Sequence, residues 1–398
     1  MNLLKLIKYF LFGIFILIFI ALIFQYVVNV KYTFPEPHPF KGEFIYNPYR
    51  NFDESKSRMA NFHSHDRNFF GNEKEAVLAI QGLDSLYRYL GYDIISISDY
   101  QRINYYESKN KWFVPVYEHG FQYYKTHKLV LNAKKVSWLD FPFRQTLSNK
   151  QFIIDQLKKD TTSVITIVHP IYIKAYSFRD FKYLNNYNCL EIANHERHFS
   201  ECYDTILSEG HPVFIMADDD GHHVTEMNNV GSSFNLVNCD LVRDSVLYAL
   251  SKGRSIGVKF NLNSFTTNEE KKTALLKLPE IKSIAFNNDT LTVSLNQAVK
   301  TIKFIGQRGT VRNKIADCST GSYFFGRHDT YIRIEIECND GTVYFLNPYF
   351  RYNGIILTDY APSINVLKTW AWRSALLVIL ILTLIIRRYK NICITTKK

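Results

Sequence analysis

Two apolar segments, one near each end of the chain, constrain everything between them. Residues 9–30 carry no charge and follow Lys5 and Lys8. About twenty such residues, wound as a helix, cross roughly 30 Å of hydrocarbon. The exit, Phe24-Gln25-Tyr26-Val27-Val28-Asn29, offers no small-x-small cleavage site, so an uncleaved signal anchor is expected rather than a removed signal peptide. Residues 369–386 form the second expected span, with Trp370 and Trp372 as an interfacial belt and Arg373 snorkelling to the same level. A basic tail, 387–398, follows, with Arg387, Arg388, Lys390, Lys397 and Lys398. The positive-inside rule then places both termini in the cytoplasm and residues 31–368 on the exoplasmic side of the cytoplasmic membrane. A C-terminal helix packed on a soluble domain is the alternative, and the basic tail argues against it.

The net charge is +11, but seven positive charges lie in the two tails, and the +4 left over is ordinary for the remainder. No nucleic-acid partner is expected from it. At 398 residues with 46% apolar composition, the chain can bury a large core in two or three units. The six cysteines form no C-x-x-C pair. Cys318 and Cys338 are the two that an oxidising compartment could join, buried thiols being the other reading.

After the anchor, Pro35, Pro37, Pro39 and Pro48 mark an extended tether over 31–57. From 58 to 254 short apolar runs alternate with helical stretches. Strands are predicted at 58–63, 94–98, 113–118, 128–132, 164–168, 189–193 and 213–217, and helices at 73–90, 149–159, 199–209 and 241–252. Several of the runs are β-branched and apolar on both faces, as buried sheets require. The pattern predicts a βα architecture, open sheet or barrel. The segment 133–148 breaks it and reads as a loop over one rim, carrying Trp138, Phe141 and Phe143. From 255 to 357 the grammar changes to short alternating strands with Asn- and Asp-rich turns, predicting a small all-β sandwich.

Ten of the twelve histidines fall between His63 and His223, interleaved with carboxylates. The order is His63-x-His65, Asp99, Glu118, His127, His169, then Asp220-Gly221-His222. Imidazole and carboxylate are the ligands of borderline divalent ions such as zinc, manganese or iron. Most of these groups stand at or just past predicted strand ends, where barrel active sites are built. His195-x-x-His198, Arg197, Arg144 and Lys134 are further candidates near the same rim, with solvated surface the alternative for each. No G-x-S-x-G elbow, Walker A loop or dinucleotide fingerprint is present.

Four local motifs carry a resemblance: Asn61-Phe62-His63-Ser64-His65, Ile94-Ile95-Ser96-Ile97-Ser98-Asp99, Ile167-Val168-His169-Pro170, and Ala217-Asp218-Asp219-Asp220-Gly221-His222. In that order they resemble the PHP superfamily, named for polymerase-associated and histidinol phosphatase domains, over residues 58–255. The resemblance implies a distorted seven-stranded βα barrel whose rim holds up to three divalent ions and hydrolyses phosphoesters. Carried over by position, His63, His65, Glu118 and Asp220 would hold one metal, and Glu118 would bridge to a second held by His127 and His169. His222 would belong to a third. Leu190-Glu191-Ile192-Ala193-Asn194 also resembles a family segment, without an assigned ligand role.

Two departures fall on that third position. The family's Thr/Ser-Asp-His reads Ser98-Asp99-Tyr100 here, and the residues after His65 leave only Asp66 as a further acid. Two ions are therefore expected. Tyr100 could ligate weakly, hydrogen-bond a phosphate oxygen, or simply fill space. The expected function is a membrane-tethered, metal-dependent phosphoesterase with Glu118, Asp220 and Tyr100 as candidate catalytic groups. Its substrate would be a phosphorylated envelope glycan or lipid. The alternative is a binding or scaffolding module on a barrel that has lost catalysis.

Overall fold

The computed structural model describes residues 3–66, 73–195, 197–222, 229–262, 265–355 and 360–395. The stretch 67–72 after Asp66, Glu196 and the last three residues of the basic tail lie outside the described residues. The protein is mixed α/β, with a helix at each end that is long and apolar enough to cross a membrane: Leu3–Val28, mean hydropathy 2.8, and Val366–Ile386, mean hydropathy 2.0.

The inner ends of these two helices are bonded together. Tyr32–Thr33 pairs antiparallel with Ser363–Ile364, and Lys31 N donates to Thr369 Oγ1 at 2.9 Å. The last turn of an α-helix leaves carbonyls without intrahelical partners. Here Trp372 Nε1 donates to Tyr26 O at 3.1 Å and Arg373 Nε to Val27 O at 2.9 Å. Arg373 therefore bonds to the first helix instead of only snorkelling.

One sheet contains Phe214–Asp218, Cys189–Asn194 and Val164–Ile167 in parallel, continued antiparallel by Lys128–Leu131 and Val116–His119. Every residue of these five strands is buried, which explains their near-continuous apolar runs. A second, longer sheet holds Ser57–Asn61 and Ile94–Ile95 in parallel at one end. Two pairs of backbone contacts link the sheets. Ser64 bridges Gly221, with His65 N donating to Gly221 O and Asp220 N to His63 O, both at 2.8 Å. Tyr100 bridges Glu118, whose N donates to Ser98 O at 3.1 Å. Helices Glu73–Leu90, Leu147–Leu157, Ser200–Ser208 and Arg243–Ser251 stand near their predicted positions. The short helices Phe178–Tyr183 and Asn268–Leu275 were not predicted.

The expected boundary at 254/255 is not marked by any break in the second sheet. Ser255–Lys259 pairs on one side with Ser233–Asn238 and on the other with Val343–Leu346. The sheet runs on through Tyr331–Glu337 and Thr290–Gly306 to Ile281–Asn287. Where short strands were expected, Thr290–Gly306 is a single 17-residue strand whose pairing with Thr310–Phe324 shifts register. The tether also differs from a free spacer. Phe44–Tyr46 joins Tyr349–Tyr352 as a strand, the Phe40 ring stacks on Phe350 at 4.4 Å, and Tyr49 Oη donates to Ser255 O. Its prolines keep it extended while its aromatics bury. Cys189, Cys202, Cys239, Cys318 and Cys338 are free thiols, so of the two readings of Cys318 and Cys338 the free-thiol one holds.

The β-rich part is fastened to helix Ser200–Ser208 by a buried ion pair. Arg333 donates from Nε to Asp204 Oδ1 and from Nη2 to Oδ2, each at 2.7 Å. A two-pronged contact of this kind is strong, but removing one partner strands a buried charge. Arg333→Ala is expected to cost about 3–5 kcal/mol, read as a fall in the denaturation midpoint of the detergent-solubilised protein. Arg333→Met combined with Asp204→Leu should lose much less.

Candidate metal centre

The strand arrangement brings the predicted ligands to one rim. His63 and His65 follow Ser57–Asn61, His169 follows Val164–Ile167, and Asp220 follows Phe214–Asp218. Glu118 lies near the end of Val116–His119. His127 comes just before Lys128–Leu131, which runs antiparallel, so its start sits at the same rim. Two of these residues adopt the left-handed backbone region without being glycine, His169 at φ 31° and Asp220 at φ 50°. Such conformations carry strain and gather at functional sites.

Two convergent groups result, His63, His65, Glu118 and Asp220 in one, and Glu118, His127 and His169 in the other. In the first, Glu118 Oε2 lies 3.6 Å from His63 Nε2 and 3.1 Å from His65 Nε2, while Asp220 Oδ1 lies 3.2 Å from both nitrogens. Donors held tetrahedrally about 2.1 Å from an ion stand about 3.4 Å apart, so this spacing fits a bound cation. These four atoms are buried and make no well-aligned hydrogen bond, a rare and costly condition in a dry interior. A divalent ion satisfies all of them at once. In the second group Glu118 Oε1 meets His127 Nδ1 at 2.5 Å and His169 Nε2 at 3.0 Å. The two oxygens of Glu118 thus face separate ligand groups.

Charge follows the same geometry. Burial alone would raise Glu118, but the imidazoles of His127 and His63 hold its carboxyl well below the ordinary range. Asp220 is likewise held down against burial by His63 and His65. Burial would lower the imidazoles, yet Asp220 and Glu118 lift His65 to about 9 and His63 well above its usual value.

Glu191 is the functional residue that the strand reading passed over. Its Oε1 meets His63 Nδ1 at 2.9 Å, while Oε2 accepts the His169 backbone N–H at 2.6 Å and Asn194 Nδ2 at 2.9 Å. A carboxylate behind a ligating imidazole fixes its tautomer and orientation. The available signal was an acid centred in an otherwise apolar, fully buried strand, Cys189–Asn194. Asp218 and Asp219 act on the backbone instead. Asp218 Oδ1 accepts Phe62 N, and Asp219 accepts the N–H groups of Gly231, Ser232 and Ser233.

The remaining predicted groups are not members of the two clusters, although Tyr100 and His222 adjoin the first. Asp66 is engaged by Arg102 Nη2 at 2.7 Å and Asn104 Nδ2 at 3.0 Å, and the same two donors reach Asp99 Oδ2 at 2.8 and 3.1 Å. A guanidinium therefore lies across Asp66, the acid expected near a third ion, and Asp99. His222 bonds through Nδ1 to Asp220 O at 2.7 Å and through Nε2 to Tyr100 Oη at 3.3 Å. Burial brings its imidazole down to about 4. The Tyr100 ring stacks on His65 at 4.4 Å, and burial, then Glu118 and Asp220, push its phenol well up. Tyr100 stands there as a neutral hydroxyl rather than a phenolate. His198 lies on a short strand, Arg197–His198, not a helix turn. Arg197 packs over Tyr172, whose ring adjoins His169. Lys134 pairs with Asp160, and Arg144 lies over Tyr124.

A cavity of about 810 Å³ opens beside His127, Tyr100 and His222, walled by Phe121, Trp138 and Ile173. Of the predicted loop aromatics, Trp138 reaches this rim. Phe141 and Phe143 turn instead to Tyr26 at the end of the first helix, with ring centroids 5.1 and 6.2 Å away.

No family model and no curated protein matches the chain. Among solved structures it is similar to PsfC from Pseudomonas syringae PB-5123, at 12% identity over 56% of this chain and 97% of that one, with a TM-score of 0.36. A likeness that faint carries no functional argument.

Metal content checks the ligand set. Glu118→Ala, His63→Ala and Asp220→Ala are each expected to lower bound metal by elemental analysis, whereas Asp66→Asn leaves it unchanged. Full retention in His63→Ala, His169→Ala and Asp220→Ala together would remove the site. The raised imidazoles also predict that metal uptake at pH 7 displaces protons, and that affinity climbs as pH rises towards about 9. Calorimetry in buffers of different ionisation enthalpy measures that release.

Proposed function

We propose that this protein is a membrane-tethered, metal-dependent phosphoesterase with a dinuclear centre, carried on a distorted seven-stranded barrel related to the PHP superfamily. The two inter-sheet bridges support the barrel reading, because they connect the ends of a seven-strand circuit through 57–61, 94–95, 116–119, 128–131, 164–167, 189–194 and 214–218. The observation that carries the function is Glu118, one oxygen turned to His63, His65 and Asp220 and the other to His127 and His169. A bridging carboxylate holds two cations close despite their repulsion.

His63, His65, Glu118 and Asp220 would hold one ion, and Glu118, His127 and His169 the other; zinc, manganese or iron suits this donor set. When bound, such a pair supplies water activation and charge stabilisation to an in-line displacement at phosphorus. The chain's own groups do the rest. Glu191 keeps His63 in one tautomer. Tyr100 offers its hydroxyl from the cavity wall, where it can donate to a phosphoryl oxygen. Lys125, which lines the cavity and lies 5.2 Å over Tyr172, and Arg197, 5.6 Å over the same ring, are the cations beside His169 that would hold a phosphate. Phe121, Trp138 and Ile173 offer an apolar wall on the other side that suits an apolar ester group, favouring an envelope lipid or lipid-linked glycan as substrate. With the basic tails cytoplasmic, this site faces the exoplasmic side.

Tyr100 and Arg102 favour a second reading, a binding module whose catalysis has been lost. Metal-loaded full-length protein assayed on a phosphoester panel separates the two. The phosphoesterase hydrolyses at least one ester, loses that activity about 100-fold or more in Asp220→Ala, and keeps it in Tyr100→His. An inert parent that Tyr100→His activates would establish the binding module. Reporter fusions after Ala361 and after Lys398 should report opposite sides of the membrane, and same-side signals would exclude the second crossing.

A further inference from the structure

A second cavity, of about 920 Å³, lies where the two membrane helices meet the body of the protein. Lys31 enters it from the end of the first helix, Lys368 from the start of the second, and Arg144, Lys150, Lys174 and Arg179 from the body. Asp180 is the lone carboxylate among its described lining residues, and it is already engaged by Lys150 at 2.7 Å and by Ser177. Lys31, Arg144, Lys174, Arg179 and Lys368 make no ion pair among the described residues. Like charges crowded into a cleft are unfavourable unless an anion answers them.

The surroundings define that anion. Trp372 and Ala371, on the second membrane helix, and Phe34 line the same cleft, and Lys31 Nζ lies 4.2 Å over the Trp372 ring. The wall facing the helices thus combines the apolar Trp372 and Ala371 with Lys31 and Lys368, while the opposite wall carries Arg144, Lys150, Lys174 and Arg179. Lys174 shares its wall with the metal-side cavity, since the adjoining Ile173 lines that one. Both residues hold left-handed backbone, at φ 48° and 57°. That conformation is a genuine outlier for a β-branched residue such as Ile173.

We propose that this cleft binds the phosphate-bearing headgroup of an anionic membrane lipid, with acyl chains running along Trp372 and the second helix. Arg144 and Arg179 present planar forks to the phosphate oxygens, and Lys174, Lys31 and Lys368 add point charges. This site stands independently of the phosphoesterase reading, since none of its residues is a candidate metal ligand.

The test uses the full chain in nanodiscs made of equal parts phosphatidylcholine and phosphatidylglycerol, with retained lipid read by native mass spectrometry after detergent release. Wild type is expected to keep phosphatidylglycerol over phosphatidylcholine. The triple variant Arg144→Gln, Lys174→Gln, Arg179→Gln should lose that preference by about tenfold or more. A control triple at remote exposed cations, Lys109→Gln, Lys111→Gln, Lys314→Gln, should keep it. Equal loss in both triples would mean diffuse charge attraction and overturn the site. Complete displacement of the lipid by inorganic phosphate would also overturn it, reassigning the cleft to a soluble phosphate. Brominated lipids give a reading that needs no variant: brominated phosphatidylglycerol should quench tryptophan fluorescence more than brominated phosphatidylcholine, through Trp372, and equal quenching counts against the proposal.

Discussion

Glu118 is a carboxylate with no solvent exposure, and an ionised acid so placed is prohibitive unless positive charge surrounds it. Every other feature of the rim answers that requirement. Four imidazoles from three separate strand ends converge on its two oxygens. They in turn need orientation, which Glu191 supplies to His63 through one oxygen and to the His169 backbone through the other. The strand pairing beneath, tied by the Ser64–Gly221 and Tyr100–Glu118 bridges, holds these groups in register to within hydrogen-bond tolerance. Protons can balance part of the charge, and the raised imidazoles record this. They leave four inward-pointing atoms poorly satisfied, which a cation would complete.

The first long apolar helix is coupled to this rim by hydrogen bonds. Gln25 Oε1, at the end of the first helix, accepts the Asp140 N–H at 2.8 Å, and Asp140 Oδ2 accepts the Phe121 N–H at 2.9 Å. Leu139 O receives His119 Nε2 at 3.0 Å. The loop 133–146 therefore connects the end of an apolar helix to the wall of the metal-side cavity through a few hydrogen bonds.

The region opposite Asp66 follows a different logic. Two carboxylates side by side repel unless a cation lies between them. Arg102 and Asn104 supply the charge and the donors here. With that demand met from within the chain, the pressure to recruit a further ion at Asp66 is relieved, in keeping with tyrosine at position 100 where an imidazole was expected.

Local patterning was enough to read the two apolar spans, the all-buried strands and the order of the ligating side chains, because each depends on residue type over a handful of neighbours. Chain order, together with the resemblance, even anticipated the grouping of His63, His65, Glu118 and Asp220. Other features were invisible. Ser233–Asn238 escaped notice because Asn235 sits at its centre, a polar residue whose amide is spent on Ala217 and Asp218. Thr310–Phe324 escaped because it is largely exposed and polar. Asp66 read as a spare ligand, yet Arg102, 36 positions away, holds it. Glu191 read as part of a motif without a task until His63 was found in front of it. The sequence by itself determined which ligand types the chain could offer and which two segments are long and apolar enough to cross a membrane, through composition and short-range periodicity. Only the tertiary structure decided that Glu191 backs His63, that Arg102 neutralises Asp66 from within the chain, and that one sheet continues across residue 255. Those outcomes rest on contacts between residues tens to hundreds of positions apart, made when strands pair and burial compels each charge to find a partner.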